Sequence, residues 1–467
     1  MEDITPIFSG LRSEIGLLQA EIRLLKAEIS LLREENTSLK SINKSLREEN
    51  SKLKDKLGLT SKNASIPSSK ELYKLKRNKI KSIRNRGGQP GHAGTTRGRL
   101  VADEVIELPI SDACSCGGHV AIAPKPYIHQ KVDLPDIKPY VVAYHVQHGR
   151  CRKCGKRYTA SLPQGVTPDA FGPKIKSVIA ALTGFYKNSK REVAHILKDI
   201  FHLDISLGSI SNTESRVASK CQEAYQAIKE TVKQSKVLHI DETSHFNSDK
   251  LGWCWIFTSP ISSLLKLTTS RSRKVLENSG LSRQNSIVVS DRYAVYHYFP
   301  PTHRQICWSH IARDFERFAH SWHRNVKTLG YYLREIAGEL FALHRSLINH
   351  AIDLLTFLRR IRKLRKRTYY GLKAIARLSD AVHASRVARN IMRVEPMLWK
   401  FAQDPLSIPL TNNLAERQIR HYVVYRKNSY FTQSERGNTF LERVISLYLT
   451  WKQQKLNPFQ QLQTIMA

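Results

Sequence analysis

Three carboxylates stand in local contexts that would bring them to one point. Asp241 follows the apolar stretch 237–240, Asp291 follows a second such stretch at 287–290, and Glu416 lies near the start of an amphipathic helix. Hard divalent cations such as Mg²⁺ prefer oxygen ligands, and a pair of them can assist attack on a phosphodiester. Taken singly, each aspartate fits a turn, and Glu416 fits a capping box with Asn413 as N-cap. The three acids together favour metal ligation.

The segments around these acids predict a sheet that would hold them. Hydrophobic patterning indicates strands at 237–246, 252–259, 264–269 and 287–290, with a helix near 273–280. This order, with one acid in the first strand and another ending the fourth, predicts a ribonuclease-H-like core. A rigid sheet suits the task because small errors in carboxylate position would be costly.

A mostly helical segment, 311–404, separates this sheet from Glu416. This segment contains a basic run that is either a solvated helix face or a surface that binds the DNA backbone. The run comprises Arg359, Arg360, Arg362, Lys363, Arg365, Lys366 and Arg367. Cations also follow Glu416, where a scissile phosphate would need them: Arg417, Arg420, Arg426 and Lys427. Cys307 and His310 have metal-ligand spacing, but a buried thiol and a hydrogen-bonded histidine are the favoured interpretation.

Composition points to a polyanionic partner. The 467 residues exceed what one core usually holds, and 75 Lys and Arg against 40 Asp and Glu give a formal charge of +35. Because the charge is concentrated in segments, nucleic acid is favoured over a merely basic surface. The acidic N-terminal residues and the lack of a long apolar run predict neither a secretory signal nor a membrane span. We expect a cytoplasmic protein.

The first segment, 1–58, has the heptad spacing of a coiled coil. Ile at early a positions and Leu at d positions favour a parallel two-stranded coil, and Asn at later a positions fixes register. A lone helix packing on its own chain would not explain the repeated Asn, so we expect a homodimer. The heptad positions are Leu11, Ile15, Leu18, Ile22, Leu25, Ile29, Leu32, Asn36, Leu39, Asn43, Leu46, Asn50, Leu53 and Leu57.

Residues 59–100 are strongly basic and poor in apolar side chains. Such a segment cannot bury enough surface to fold alone. We expect a linker that also serves as a phosphate-binding arm, with Arg84 and Arg86 among its DNA contacts.

Four cysteines in the next segment, 101–165, are grouped as two close pairs: Cys114 with Cys116, and Cys151 with Cys154. Short strands such as 140–146 lie between the pairs, so two knuckles could close a structural Zn²⁺ site. The alternative is four free thiols in a small β-domain. The first pair is one residue tighter than usual, so His119 could replace one ligand.

Residues 166–234 are predicted to be helical. Helices at 189–200 and 209–220, joined by a turn at 202–206, suit a helix-turn-helix. Any two packed helices can mimic this motif in a single sequence. Lys187 and Lys190 are its expected DNA contacts.

Several strings of residues together resemble the insertion-sequence-66 transposases, TnpC-type DDE recombinases of bacterial mobile elements. The resemblance covers nearly everything from residue 59 onward, and its most specific part is the string that ends in Ala415-Glu416-Arg417. The matching strings occupy 87–92, the two cysteine pairs, 239–243, 290–293, 307–310, 412–417, 426–428 and 434–437.

The resemblance implies a multidomain α+β protein that carries out transposition. Asp241, Asp291 and Glu416 would be the catalytic triad that binds Mg²⁺ or Mn²⁺, and Cys114, Cys116, Cys151 and Cys154 the Zn²⁺ ligands. The expected organisation is a coiled coil, a basic arm, a zinc-finger-like β module, a helical DNA-binding domain, a catalytic domain at 235–455 with its insertion near 311–405, and a tail at 456–467.

The implied partners are double-stranded DNA, both element ends and target, and accessory proteins of the same element. The implied location is the bacterial cytoplasm, in association with the nucleoid. The enzyme would bind terminal inverted repeats, cleave a strand and join the freed 3′ hydroxyl to target DNA. Two alternatives remain: a non-catalytic DNA-binding regulator, which would leave the second half of the chain unused, and a structure-selective nuclease on the same core.

Overall fold

The structure, a computed structural model, describes residues 5–57, 98–110 and 115–467. The predicted DNA contacts Arg84 and Arg86 and the predicted zinc ligand Cys114 lie outside these residues. The fold is mixed α+β. The chain divides into two compact units, one of residues 1–72, 162–195 and 205–467 and the other of residues 73–161 and 196–204.

The N-terminal segment is one helix, α1 (Thr5–Leu57). Along its described part, the heptad side chains form an apolar seam that is only about half covered: Ile29 is 47% exposed and Leu46 57%. Leu24 and Leu31, which lie off the seam, are 72% and 67% exposed. The described part of the helix therefore presents a half-covered seam of apolar side chains, interrupted by Asn36 and Asn43 at a positions.

In the second unit, two short strands form a hairpin. They are β1 (His148–Arg150) and β2 (Arg157–Thr159), which pair antiparallel. The strand predicted at 140–146 is wrong: these residues form no ladder, and Tyr140 is 93% exposed. Alternating apolar residues alone do not make a strand when no partner strand satisfies the backbone.

The following helices are α2 (Pro173–Ala180), α3 (Lys190–Phe201), α4 (Leu207–Lys220) and α5 (Gln222–Lys233). The predicted helix boundaries at 189–200 and 209–220 are close to those of α3 and α4. The α4 helix begins where the Ser206 hydroxyl accepts from the Ser209 N–H at 3.2 Å, an N-cap that satisfies an otherwise unpaired donor.

A five-stranded sheet forms the centre of the first unit. Its strands are β3 (Val237–Asn247), β4 (Lys250–Thr258), β5 (Ser263–Thr268), β6 (Ile287–Ser290) and β7 (Arg304–Ile306), and α6 (Arg273–Glu277) precedes β6. The spatial order is β5-β4-β3-β6-β7, with β3, β4 and β5 antiparallel and β6 and β7 parallel to β3.

Two helices near the C-terminus pack against this sheet. They are α12 (Asn413–Ser429) and α13 (Glu435–Gln453), which α14 (Pro458–Met466) follows. Buried Tyr422 and Leu441 from these helices join buried strand residues such as Ile240 and Trp255 in one apolar core. This core fixes α12 relative to β3.

Between β7 and α12 the chain forms a helical segment with its own core. It comprises α7 (Trp308–Ala319), α8 (Arg324–Ile348), α9 (Leu354–Ala376), α10 (Val382–Arg393) and α11 (Glu395–Leu398). The Trp308 N–H donates to the Leu410 carbonyl at 3.1 Å, so the chain leaves and re-enters this segment at adjacent points. Among the helices that the structure describes, none is both long and apolar enough to span a membrane.

Candidate active site

Sheet register places Asp241 and Asp291 side by side. Strands β3 and β6 run parallel with His239 opposite Val289, and each aspartate comes two residues later. Because side chains alternate between faces, two equal steps leave both aspartates on the same face. Neighbouring strands are about 4.8 Å apart, and the charge of Asp291 contributes to raising the pKa of Asp241. The sheet therefore brings the two predicted aspartates together.

Glu416 reaches the same place from α12. Its negative charge also raises the pKa of Asp241, and its Oε1 lies 3.4 Å from Arg313 Nη2. The capping-box interpretation with Asn413 as N-cap is wrong, because α12 begins after Asn412 and no side chain caps it. The nearest partners of the Glu416 carboxylate are on α7, where His310 Nδ1 lies 3.7 Å from Oε1. Among the described residues, the cluster of possible metal ligands that contains Glu416 is formed with Cys307 and His310, and it includes neither Asp241 nor Asp291.

Asn412 connects β3, which carries Asp241, with Cys307 and with the start of α12, which carries Glu416. Its Nδ2 donates to the Ile240 carbonyl at 2.8 Å, and its Oδ1 lies 3.1 Å from His239 Nδ1. Its backbone N–H donates to Cys307 Sγ at 3.1 Å, and its carbonyl accepts from the Glu416 N–H at 3.2 Å. Asn412 is only 1% exposed, so these bonds are shielded from water. Sequence reasoning missed this residue.

A fourth carboxylate, Glu242, was also missed. Its side chain is 2% exposed and accepts from Arg271 Nη2 at 2.6 Å and from the Tyr296 hydroxyl. Burial raises the pKa of Glu242 first of all, and the charge of Asp291 adds to the rise. The signal available in the sequence was a second acid directly after Asp241 in the same predicted strand.

Burial raises the pKa of Asp241 to about 8, and the charges of Glu242, Asp291 and Glu416 add to that effect. Buried Arg304 supplies one compensating cation nearby, since its Nη2 donates to the Asp291 carbonyl at 3.2 Å. Burial lowers the pKa of Arg304 to about 10, so it stays protonated at neutral pH. Oxygen donors with excess negative charge match the ligand preference of Mg²⁺ or Mn²⁺.

Cys307 and His310 lie beside this carboxylate group. One ligand atom from each, together with a Glu416 oxygen, fall within 4.8 Å of one another. The predicted buried thiol is confirmed, because Cys307 is 0% exposed. The hydrogen bond predicted for His310 is absent at its Nδ1, because this atom is buried without a hydrogen-bond partner.

The predicted cations around the site differ in what they contact. Arg417, Arg420 and Lys427 are exposed on α12. Arg426 instead donates to Thr243 Oγ1 at 2.9 Å and to the backbone carbonyl of Ser244, so its guanidinium joins α12 to β3.

The two lysines predicted to contact DNA also make contacts within the protein. Lys190 Nζ lies 2.8 Å from the buried Glu214 carboxylate. Lys187 Nζ lies 3.4 Å from His421 Nδ1, and burial lowers the pKa of Lys187.

Among the predicted zinc ligands that the structure describes, Cys151 and Cys154 lie close together, but Cys116 does not complete a cluster with them. Cys151 and Cys154 interact, and hydrogen bonds from the Cys154 backbone lower the pKa of Cys151. Within residues 98–110 and 115–467, a three-ligand cluster occurs at Cys307 and not around Cys116. Two cysteine sulfurs in contact fit half of a tetrahedral zinc site.

Comparison with known proteins places this site in a family. Comparison with the curated proteins finds none that matches the chain. A family model described as "Transposase IS66 family" matches residues 188–439, more than half of the chain, and this range contains Asp241, Asp291 and Glu416. The chain therefore belongs to the IS66 transposase family.

Proposed function

We propose that this transposase cleaves and joins DNA strands by a two-metal mechanism in which Asp241, Asp291 and Glu416 hold Mg²⁺ or Mn²⁺. The observation that supports the proposal is that Asp291 follows β6 beside Asp241 in the sheet register, and that the charges of Asp291 and Glu416 add to the burial that raises the pKa of Asp241. A site that concentrates negative charge in a chain of formal charge +35 suits a cation-assisted reaction on a polyanion.

The sheet topology supports a ribonuclease-H-like catalytic core. Three antiparallel strands are followed by two strands parallel to the first, in the order β5-β4-β3-β6-β7. This arrangement puts the first strand at the centre of the sheet, where packing on both sides holds Asp241 in place. A rigid platform of this kind preserves the spacing on which the reaction rate depends.

The metal ions, when bound, supply the Lewis acidity that activates the attacking oxygen and stabilises the leaving one. The residues of the chain would position these ions. Asp241 and Asp291 would supply two ligands from the sheet. The Asn412 contacts hold the start of α12, and with it Glu416, next to β3. Arg313 beside Glu416 and exposed Arg417 are placed to neutralise phosphate oxygens.

We propose that the remaining segments recognise DNA and bring two element ends together. The α1 seam would form a parallel two-stranded coiled coil, which pairs two active sites. The cysteine pairs would bind structural Zn²⁺, and the basic arm with the helices α3 and α4 would contact the terminal inverted repeats and the target DNA. The formal charge of +35 favours such binding.

The test is strand cleavage and transfer on DNA that carries the element ends. Glu416→Gln should abolish Mg²⁺-dependent cleavage while leaving DNA affinity within about twofold, since only a metal ligand is lost. The matched control is Glu335→Gln, which changes an exposed glutamate on α8. Equal cleavage by Glu416→Gln and the wild type would contradict the proposal.

The same assay separates the alternatives. Cleavage of branched DNA without joining would identify a structure-selective nuclease on the same core. Specific DNA binding with no cleavage by the wild type in either Mg²⁺ or Mn²⁺ would identify a regulator.

A further inference from the structure

We infer that Cys307, His310 and Glu416 form a second metal site, selective for a borderline-soft divalent ion such as Zn²⁺, which adjoins the carboxylate site and shares Glu416 with it. The ligand atoms of the three residues lie within 4.8 Å of one another. A thiolate, an imidazole and a carboxylate are ligands that Zn²⁺ binds in proteins, whereas Mg²⁺ takes oxygen donors. The sharing of Glu416 rests on the proposed function; the binding of the ion does not.

The local structure prepares Cys307 to act as a ligand. It is the N-cap residue of α7, so its sulfur lies at the start of the helix that carries His310. Its sulfur accepts from the Asn412 N–H at 3.1 Å. Hydrogen bonds to a sulfur orient it and stabilise it when it binds a metal.

His310 lies one turn along the same helix, so both side chains occupy the same face. Its Nδ1 is buried without a hydrogen-bond partner and lies 3.7 Å from Glu416 Oε1. An unsatisfied buried ring nitrogen costs free energy, and a metal ion between it and the carboxylate would remove that cost.

Occupation of this site would affect the carboxylate site through Glu416. One carboxylate that binds Zn²⁺ beside Cys307 has less freedom to complete the Mg²⁺ site with Asp241 and Asp291. Three protein ligands also leave one coordination position open for water or a substrate oxygen. The expected consequence is that Zn²⁺ weakens the binding of hard cations.

The first experiment measures Co²⁺ binding by absorption, because a thiolate ligand gives a sulfur-to-cobalt charge-transfer band. The full-length chain is used with the four cysteines of the predicted zinc module changed to serine, and Cys307→Ser is compared with Cys221→Ser. Cys221 is also a buried thiol but lies outside the cluster. The band should be present in the background and in Cys221→Ser and absent in Cys307→Ser. A band that persists in Cys307→Ser, or that is missing from the folded background, would overturn the inference.

A second measurement covers the case in which the four-serine background does not fold. Equilibrium dialysis of the otherwise unchanged chain should find about one Zn²⁺ fewer per chain in Cys307→Ser and in His310→Ala, since each change removes a ligand. Equal Zn²⁺ content in the wild type and both variants would overturn the inference. Neither experiment needs DNA or turnover, so an inactive protein that binds the ion would refute the proposed function alone.

The shared ligand is tested with Mn²⁺, whose binding to the carboxylates can be followed by electron paramagnetic resonance. One equivalent of Zn²⁺ beyond that held by the zinc module should weaken Mn²⁺ binding roughly tenfold in the wild type and leave it unchanged in Cys307→Ser. If Zn²⁺ alters Mn²⁺ affinity equally in both proteins, Glu416 is not shared in this way.

Discussion

At the residue scale, the site depends on a side chain that carries no charge. Asn412 hydrogen-bonds the Ile240 carbonyl one residue before Asp241, and its own carbonyl accepts from the Glu416 N–H. A movement of Asn412 would therefore change the distance between these two acids. We infer that Asn412 is a positioning residue.

Asn412→Ala should weaken Mn²⁺ binding and lower the cleavage rate on the order of 10²-fold, because a displacement near 1 Å is enough for such a loss. Mn²⁺ affinity is measured without DNA, and the rate with end-bearing DNA. The control Asn413→Ala changes an exposed neighbour whose side chain meets Ser309 at 3.3 Å. Unchanged Mn²⁺ affinity in Asn412→Ala would contradict the assignment even if the protein were less stable.

The acids Asp241, Asp291 and Glu416 were predictable because each follows or opens an element that the hydrophobic pattern reveals. Glu242 and Asn412 were not, because their roles depend on partners far away in the chain. Glu242 meets Tyr296, and Asn412 meets His239. A single sequence contains no signal for such pairs.

At the element scale, the basic run on α9 divides into two groups. Arg365 forms a two-point ion pair with Glu395, and Arg367 forms one with Glu339. The other five members of the run are exposed: Arg359, Arg360, Arg362, Lys363 and Lys366. Part of the run therefore forms ion pairs within the helical segment, and the rest is a surface open to solvent.

Changing Arg359, Arg360 and Lys363 to Gln should lower non-sequence-specific DNA affinity and reduce the salt slope by about two to three units. Fluorescence anisotropy against salt concentration measures both. Changing Arg365 and Arg367 to Gln is the comparison. These changes should lower the melting temperature more than the salt slope, since they break contacts within the protein. Equal salt slopes in the wild type and the first variant would show that this face does not meet DNA.

His421 makes α12 sensitive to acid. Its Nε2 lies 3.3 Å from the Gly184 carbonyl, its ring packs on Tyr448 and Lys187 lies nearby. Burial, followed by the charge of Lys187, lowers its pKa to about 4 from an ordinary value of 6.5. A lowered folded pKa contributes stability that is present above pH 6.5 and lost as the pH falls toward 4.

His421→Gln should therefore flatten the dependence of unfolding free energy on pH between 6.5 and 4, by roughly 1–3 kcal/mol. Glutamine keeps a donor for the Gly184 carbonyl but does not titrate. Denaturant melts at several pH values test this, with the exposed His350→Gln as control. An unchanged pH dependence would contradict the assignment.

Sequence patterns located the strands of the central sheet to within a few residues, because buried strands and their turns leave a local pattern. The strand expected at 140–146 failed for the opposite reason. Its alternation resembles that of a half-buried strand, yet Tyr140 and Val141 are almost fully exposed and have no partner strand. Strand formation depends on pairing that the local sequence does not specify.

At the scale of the whole molecule, the half-covered seam of α1 predicts association of two chains. Leu25→Lys with Leu32→Lys would bury charges in that seam and should turn a dimer into monomers. Sedimentation velocity of the full-length chain measures the change. Leu24→Lys with Leu31→Lys is the control, because these side chains are off the seam and more exposed. A dimer in both variants would contradict pairing through α1.

The connection between Trp308 and Leu410 has a consequence for how such chains diversify. The two ends of the helical segment lie next to each other, since the Trp308 N–H donates to the Leu410 carbonyl and the Asn412 N–H to Cys307 Sγ. We therefore expect that α8, α9 and α10 can be lengthened, trimmed or exchanged between relatives without altering the spacing of the acids. The first helix is the exception, since it carries His310 and Arg313 to Glu416. Length variation among homologous chains should therefore accumulate after residue 319, where α7 ends, and should be absent from α7 itself.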